Sequence, residues 1–440
     1  MRSRKHSILC ISISFLLLFS GCGKAPQTKT PAAAKTTEDV LPSQAPDTFT
    51  PEPTDTLQKE EGSAKTDTPA PRTPTPTETG TPPPEEASIE PVTPIDQYLD
   101  SLTIEEKVAQ MFIVLPEALT GTDLVTEAGD TTREAIGRTP VGGLVYMEQN
   151  LQTPSQVSEM LQNAQSYSMD RIGLPLFTCI DEEGGSVARL NGNPAFGLPY
   201  IGDMAEIGSL GNVDQAYSIG LEMGSYLSDL GFNVDFAPVA DVLTDPANEV
   251  VRSRSFGSDP SLVSDMASAV SRGLREKNVC STFKHFPGHG ATEGDTHAGY
   301  AYTSKSLEEL EDSELIPFQQ GIDEDVDLIM VGHISLPNII GDDTPASLSY
   351  KMITEILRER MGYDGLVITD ALNMGAVSQT YSSADAAVRS IQSGTDLILM
   401  PADFQEAYQG VLNAVNDQMI STDRIDASMR RILQVKSRFM

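Results

Sequence analysis

The sequence predicts one α/β domain over residues 95–440, a single (β/α)8 TIM-type barrel, set behind an export signal and a disordered Pro/Thr-rich spacer. Three observations predict it. Eight short apolar runs recur along the chain, helix-type stripes lie between them, and ionisable residues gather where the runs end. Runs too short for helices, alternating with amphipathic helices, call for a parallel sheet with helices covering it. Eight such units within about 300 residues suit a closed barrel.

The N-terminus reads MRSRKHS, then twelve mostly apolar residues at 8–19, then small residues before Cys22. A membrane-spanning helix needs about 20 apolar residues, whereas a short stretch after a basic start suits an export signal. The run Leu18-Phe19-Ser20-Gly21-Cys22 resembles a bacterial lipobox. That resemblance implies a lipoprotein signal peptide over 1–21, cleavage before Cys22, and acylation of Cys22, palmitate included. A plain secretory signal is the alternative.

Residues 22–94 follow as a lipid-anchored linker. Within 24–94 lie 15 of the 29 prolines, 16 threonines and one aromatic residue, Phe49. Such a segment buries too little apolar surface to offset its ordering entropy. Alternating Pro favours extended polyproline conformations at about 3.1 Å per residue, a spacer that would hold the domain away from a bilayer. The expected location is the extracytoplasmic face, membrane-anchored.

The formal net charge is −33, of which −30 belongs to residues 95–440. A nucleic-acid partner is excluded on that balance, because phosphates attract cations. The acidity itself marks a solubilising surface. Cys179 and Cys280 remain once Cys10 and Cys22 are assigned to the signal and the anchor; each sits in an apolar run, as expected of buried free thiols, with one disulfide as the alternative.

The eight runs are 108–114, 142–147, 176–181, 234–242, 279–286, 327–334, 365–370 and 395–400. Helical stripes fall over 153–171, 259–278, 348–365, 383–393, 403–418 and 423–438. Asp259-Pro260 is an N-cap followed by a first-turn proline. An open doubly wound sheet is the rival architecture, but G-x-G-x-x-G does not follow the first strand.

In a barrel, chemistry belongs at the C-terminal ends of strands. Run three leads into Asp181-Glu182-Glu183-Gly184-Gly185, run four carries Asp235 and Asp241, and run five ends in Lys284-His285-Phe286-Pro287-Gly288-His289-Gly290. His333 closes run six and Asp370 closes run seven. Two chemistries compete. The first is a metal site of His285 and His289 with Asp295 or His297, but Pro287-Gly288 breaks any helix aligning them and no third ligand is fixed by spacing. Glycosidic-bond cleavage instead needs a nucleophile and a proton donor. Asp370 suits the first. Asp295-Thr296-His297 suits the second, the carboxylate orienting an imidazole that donates and later accepts a proton. His289 and His333 fit buried structural imidazoles.

D-E-E-G-G-S-V-A-R (181–189), V-V-R-S-R-S-F-G (250–257), K-H-F-P-G-H-G (284–290), D-T-H (295–297) and V-I-T-D-A-L-N-M (367–374) occur in that order. Together they resemble the bacterial β-N-acetylhexosaminidases of glycoside hydrolase family 3. The resemblance implies a retaining exo-β-N-acetylglucosaminidase acting on terminal GlcNAc, typically of peptidoglycan fragments. It implies Asp370 as nucleophile, His297 as acid/base and Asp295 as its partner. It implies Asp181, Arg189, Arg254, Lys284 and His285 as sugar-binding residues. No cofactor and no metal are expected, and the chain is expected to act as a monomer. The D-x-H pair separates it from family β-glucosidases, and transfer of the sugar to phosphate is the alternative outcome. A sugar-binding lipoprotein without turnover and a cell-wall structural protein are the non-enzymatic rivals. The lack of Trp suggests a small pocket gripping one terminal sugar by polar contacts.

Overall fold

A computed structural model describes residues 93–294, 299 and 301–440. The signal peptide, Cys22, nearly all of the linker and the Asp295-Thr296-His297 segment lie outside the described residues. Among the described residues the first helix is Pro94–Ser101, where Thr93 and Asp96 form a reciprocal capping box.

Each of the eight apolar runs contains a strand. They are β1 (Phe112–Val114), β2 (Gly143–Val145), β3 (Phe177–Ile180) and β4 (Val234–Asp235), then β5 (Thr282–Phe286), β6 (Leu328–Val331), β7 (Leu366–Thr369) and β8 (Ile398–Leu399). Every strand pair among them is parallel. The first run yields only three strand residues, because Val108–Gln110 finish the helix Ile104–Gln110.

The ladders divide into an open five-stranded sheet, ordered β8-β1-β2-β3-β4, and a three-stranded sheet, ordered β7-β6-β5. The single continuous eight-stranded ladder predicted from the sequence is thus resolved into two. Between the sheets stand only isolated parallel bridges, Val234↔Cys280 and Val239↔Lys284 on one side and Ile368↔Leu397 on the other. In the fourth run the strand stops at Asp235, and Pro238, which has no N–H to give a ladder, follows three residues later.

Helices cover the sheets as the stripes predict. α1 (Pro154–Ile172) starts at a Thr153/Gln156 capping box and stops at Gly173, whose φ of 68° suits glycine. α2 (Val213–Leu230) has no counterpart in the predicted stripes. It packs on α3 (Pro260–Glu276) through small residues: a Cβ on Gly220 would stand 2.2 Å from the Val270 carbonyl oxygen, and one on Gly273 would stand 2.4 Å from the Leu221 nitrogen. The stretch Lys351–Arg360 winds as a wider π-type helix. α4 (Thr422–Lys436) is capped by Ser421 and starts one residue before the predicted 423.

α4 ends on a buried lysine, whose pKa burial pulls down to about 7. Lys436 Nζ donates to Gln110 Oε1 at 2.8 Å, to the Gly142 carbonyl at 2.8 Å and to the Pro175 carbonyl at 2.6 Å. Those acceptors precede β1, β2 and β3, so three strand starts share one Nζ, whose protonated form has a hydrogen for each. Cys179 and Cys280 are both buried free thiols. No helix among the described residues is long and apolar enough to cross a membrane.

Candidate active site

At the C-terminal ends of the strands lies a cavity of about 310 Å³, lined among others by Asp181, Arg189, Arg254, Lys284, His285 and Asp370. These are all of the described residues to which the resemblance gives a role. Larger depressions open elsewhere. One, of about 550 Å³, is lined by Asp327 and Leu366, at the opposite ends of β6 and β7. A second, of about 880 Å³, lies beside Arg275 and Arg438, and a third, of about 400 Å³, beside Leu315 and Arg360. None of the three holds any of the candidate residues.

The Asp181-Glu182-Glu183 run sorts by strand alternation, since alternate residues face opposite sides. Asp181 and Glu183 face the cavity. Glu182 turns away into a nest of four donors: the backbone nitrogens of Arg189, Leu190 and Asn191 at 2.7, 2.9 and 2.7 Å, and the Tyr226 hydroxyl at 2.9 Å. Those bonds close the loop that brings Arg189 back over the pocket.

Glu183 is the hub, and its role escaped the sequence reading. It accepts from Arg254 Nε and Nη2, both at 2.7 Å, and pairs with Lys284 Nζ at 2.6 Å. Burial works to raise its carboxyl, but Arg254 first and Lys284 next outweigh that and hold it far below the ordinary glutamate value. Lys284 also reaches Asp181 Oδ1 at 2.9 Å, and Arg189 Nη2 lies 3.7 Å from Asp181 Oδ2. Asp181 stays partly accessible, with room to accept further bonds. The Arg189 Nε is buried and has no hydrogen-bond partner among the described residues.

Lys284 and His285 are consecutive, yet both line the cavity. A regular strand would send them to opposite faces; the register of β5 against β6 shifts between Lys284 and Phe286, and that irregularity re-aims the pair. Behind them stands Asp241, fully buried. Its Oδ2 meets His285 Nδ1 at 2.8 Å, and its Oδ1 accepts from the backbone nitrogens of His285 at 3.1 Å and His289 at 2.6 Å. His289 is buried with Nδ1 3.0 Å from Thr292 Oγ1, and burial first, then His285, pull its pKa down. Among the described residues no group of three or more His, Cys, Asp or Glu is placed to hold a metal ion. Asp235 does not reach the pocket. It is fully buried, accepts from the Glu182 nitrogen at 3.0 Å, and burial pushes its pKa well up.

Asp370 follows β7 directly, with Oδ1 accepting from the Ala371 nitrogen at 2.8 Å. Burial works to raise its carboxyl. His285, His333, that N–H and Lys284, in that order, outweigh the burial and hold it below the usual aspartate value. His333 is buried behind it: Nε2 lies 2.9 Å from the Ala371 carbonyl, which can only accept, so Nε2 carries the hydrogen and Nδ1 faces Ser347 Oγ at 2.7 Å. His333 therefore braces the peptide that carries Asp370.

Carboxylates and cations ringing a small pocket at the C-terminal ends of parallel strands are the layout of the α/β glycoside hydrolases. Residues 103–435 match the family model for the glycosyl hydrolase family 3 N terminal domain, and the chain belongs to glycoside hydrolase family 3. Beta-hexosaminidase A of Pseudoalteromonas piscicida is 31% identical over 328 residues, 69% of this chain and 54% of the relative. Beta-hexosaminidase LpqI of Mycobacterium tuberculosis is 38% identical over 232 residues, 51% of this chain and 58% of the relative. The chain thus spans little more than half the length of these curated relatives. Among solved structures, the glycoside hydrolase family 3 beta-N-acetylglucosaminidase of Paenibacillus sp. str. FPU-7 superposes with a TM-score of 0.72 at 36% identity, covering 77% of this chain and 63% of that one. A glycosyl hydrolase family 3 member from Mycobacterium smegmatis gives 0.68 at 34%, covering 77% and 98%.

Proposed function

We propose that the chain is a retaining exo-β-N-acetylglucosaminidase that hydrolyses terminal, non-reducing β-linked GlcNAc, with peptidoglycan fragments as its natural substrates. The observation that carries this reading is Asp370, ionised at a strand tip and facing a small cavity ringed by Asp181, Arg189, Arg254, Lys284 and His285. The beta-N-acetylglucosaminidase and beta-hexosaminidase names of the similar proteins support the substrate class.

Asp370 attacks the anomeric carbon while His297, oriented by Asp295, protonates the leaving oxygen. The glycosyl–Asp370 ester is then hydrolysed by water that His297 deprotonates, so one imidazole serves as acid and then base. Asp181 accepts from sugar hydroxyls, Arg189, Arg254 and Lys284 are donors for hydroxyls and the acetamide carbonyl, and His285 offers Nε2 to a sugar hydroxyl.

The two sheets are read as one closed eight-stranded barrel, the bridges at Cys280, Lys284 and Leu397 supporting closure. The domain is read as 95–440, behind a signal at 1–21 and a lipid-anchored spacer at 22–94. The lipobox-like run Leu18-Phe19-Ser20-Gly21-Cys22 supports a lipoprotein on the extracytoplasmic face, anchored through Cys22.

A fluorinated GlcNAc trap followed by peptide mass analysis should label Asp370, and Asp370→Asn should abolish turnover. Label on another residue, or unchanged turnover in the variant, would sink the assignment. Comparing GlcNAc–MurNAc with chitobiose, with and without phosphate, tests the substrate and separates hydrolysis from phosphorolysis. The phosphate arm has a specific motive: the beta-glucoside phosphorylase BglX superposes with a TM-score of 0.70 at 25% identity, covering 81% of this chain and 62% of that one.

A further inference from the structure

Asp241 belongs to none of the assigned roles, yet it is fully buried and spends both oxygens on the segment that presents His285. We infer that Asp241 is a positioning residue that fixes the tautomer and orientation of His285, so that Nδ1 carries the hydrogen and Nε2 is turned to the cavity shared with Asp370.

The argument is geometric. An ionised carboxylate only accepts, so the 2.8 Å contact from Oδ2 requires a hydrogen on His285 Nδ1. Burial works to raise the Asp241 carboxyl, but His285 first and then His289 outweigh it and keep it below the ordinary aspartate range. The same carboxylate receives the backbone nitrogens of His285 and His289, which prevents ring and backbone from moving independently. On the far side of the ring, Nε2 lies 3.5 Å from Arg254 Nη2, a donor, which favours Nε2 as the acceptor. Among the described residues, the charged and titratable groups facing the ring are Asp241, the Arg254 guanidinium and His289, whose ring packs edge-on at 5.8 Å between centroids; Lys284 and Asp370 share the cavity.

An asparagine in place of Asp241 keeps an oxygen for the two backbone nitrogens and puts an amide N–H against Nδ1. That drives the imidazole hydrogen to Nε2, where it points at a guanidinium. The wrong tautomer in a nearly unchanged frame is the expected defect, and losses of at least about 10-fold are usual when such an orienting bond is broken.

The test reads the tautomer directly and so stands apart from the proposed reaction, on which only its rate arm rests. In ¹⁵N-histidine-labelled full-length protein, the His285 signals are assigned by their loss in His285→Ala. Wild type should show the Nδ1–H form and Asp241→Asn the Nε2–H form. On β-GlcNAc substrates, Asp241→Asn should lower kcat/KM at least about 10-fold, with no further loss when added to His285→Ala. An Nε2–H signal in wild type overturns the inference even if the variant does not fold. Additive losses in the double variant also overturn it, since Asp241 would then act by a route other than His285. Absence of glycosidase activity in wild type, with the tautomers as stated, counts against the proposed reaction alone.

Discussion

Glu183→Gln is the sharpest probe of the pocket's framework. The Glu183, Lys284 and Arg254 side chains are 2%, 3% and 13% exposed, so their ion pairs fall in the buried class and not among surface pairs worth about 0–1 kcal/mol. Removing one partner of a buried pair costs about 3–5 kcal/mol, because the remaining charges stay desolvated. Unfolding entropy of about 2.1 cal/mol/K per residue over a domain of about 350 residues converts that to a fall of about 4–7 °C in Tm. The pH dependence has a definite sign. A depressed carboxyl adds stability above its unfolded value of about 4.3 and loses it as pH falls toward the folded value. The gap between wild type and variant should be full at pH 7 and smaller by about 1 kcal/mol at pH 3.5. Scanning calorimetry of both proteins at the two pH values measures it. A Tm difference under about 1 °C at pH 7, or a gap that widens in acid, refutes Glu183 as the residue holding Arg254 and Lys284 in place.

Three further outcomes follow, the first from the proposed reaction and the other two from the described residues. His297→Ala should lower kcat by about 10²–10⁴-fold on disaccharides and by less on an aryl glycoside whose leaving group needs no proton, as steady-state kinetics on the two substrates would show. Because His285, His333 and Lys284 hold Asp370 below the usual aspartate value, the acid limb of the kcat/KM profile should lie below pH about 3.9; a limb above pH 5 argues against an ionised Asp370 in the free enzyme. Cys179 and Cys280, buried and with burial pushing both thiols well up, should react with a thiol reagent only after denaturation, with no change in gel mobility on reduction.

The strand positions were legible because apolar runs of 4–8 residues bounded by polar ends carry the signal of a buried parallel strand. Their lengths were not. Leu328–Val331 fills half of its run, and Val234–Asp235 covers two residues of nine, because ladder pairing depends on neighbours distant in sequence. The helix Val213–Leu230 escaped the reading although it buries Ile219, Met223 and Leu227 at helical spacing, because Ala216, Gly220 and Gly224 share that face and thin out the stripe. For the pocket, strand-end logic found Asp181, Lys284 and Asp370, each directly at or beside the end of its strand. Glu183 was recoverable from strand period alone, two residues after Asp181 and on the same face. Asp241 was not: its partner His285 lies 44 residues away, and no local pattern encodes that bond.

Two carboxylates at strand ends, Glu183 and Asp370, are both held ionised, and the difference between them bears on which could attack a sugar. Glu183 is saturated: three short charge-assisted bonds to Arg254 and Lys284 occupy its oxygens, and its side chain is 2% exposed. Attack from it would first have to break those bonds. Asp370 makes no ion pair among the described residues, and the one hydrogen bond described on its carboxylate comes from the Ala371 nitrogen to Oδ1. Its charge is sustained at a distance by His285, His333 and Lys284, so that among the described residues no hydrogen bond engages Oδ2, and the residue lines the cavity. A nucleophile needs that combination, ionised by the surrounding field yet unengaged by contact. The cations nearest the pocket are in turn tied to Asp181 and Glu183, so they support Asp370 without capping it. In a domain carrying −30 overall, local charge balance at this one place is what keeps the partly accessible Asp370 carboxylate charged while no described ion pair ties it down.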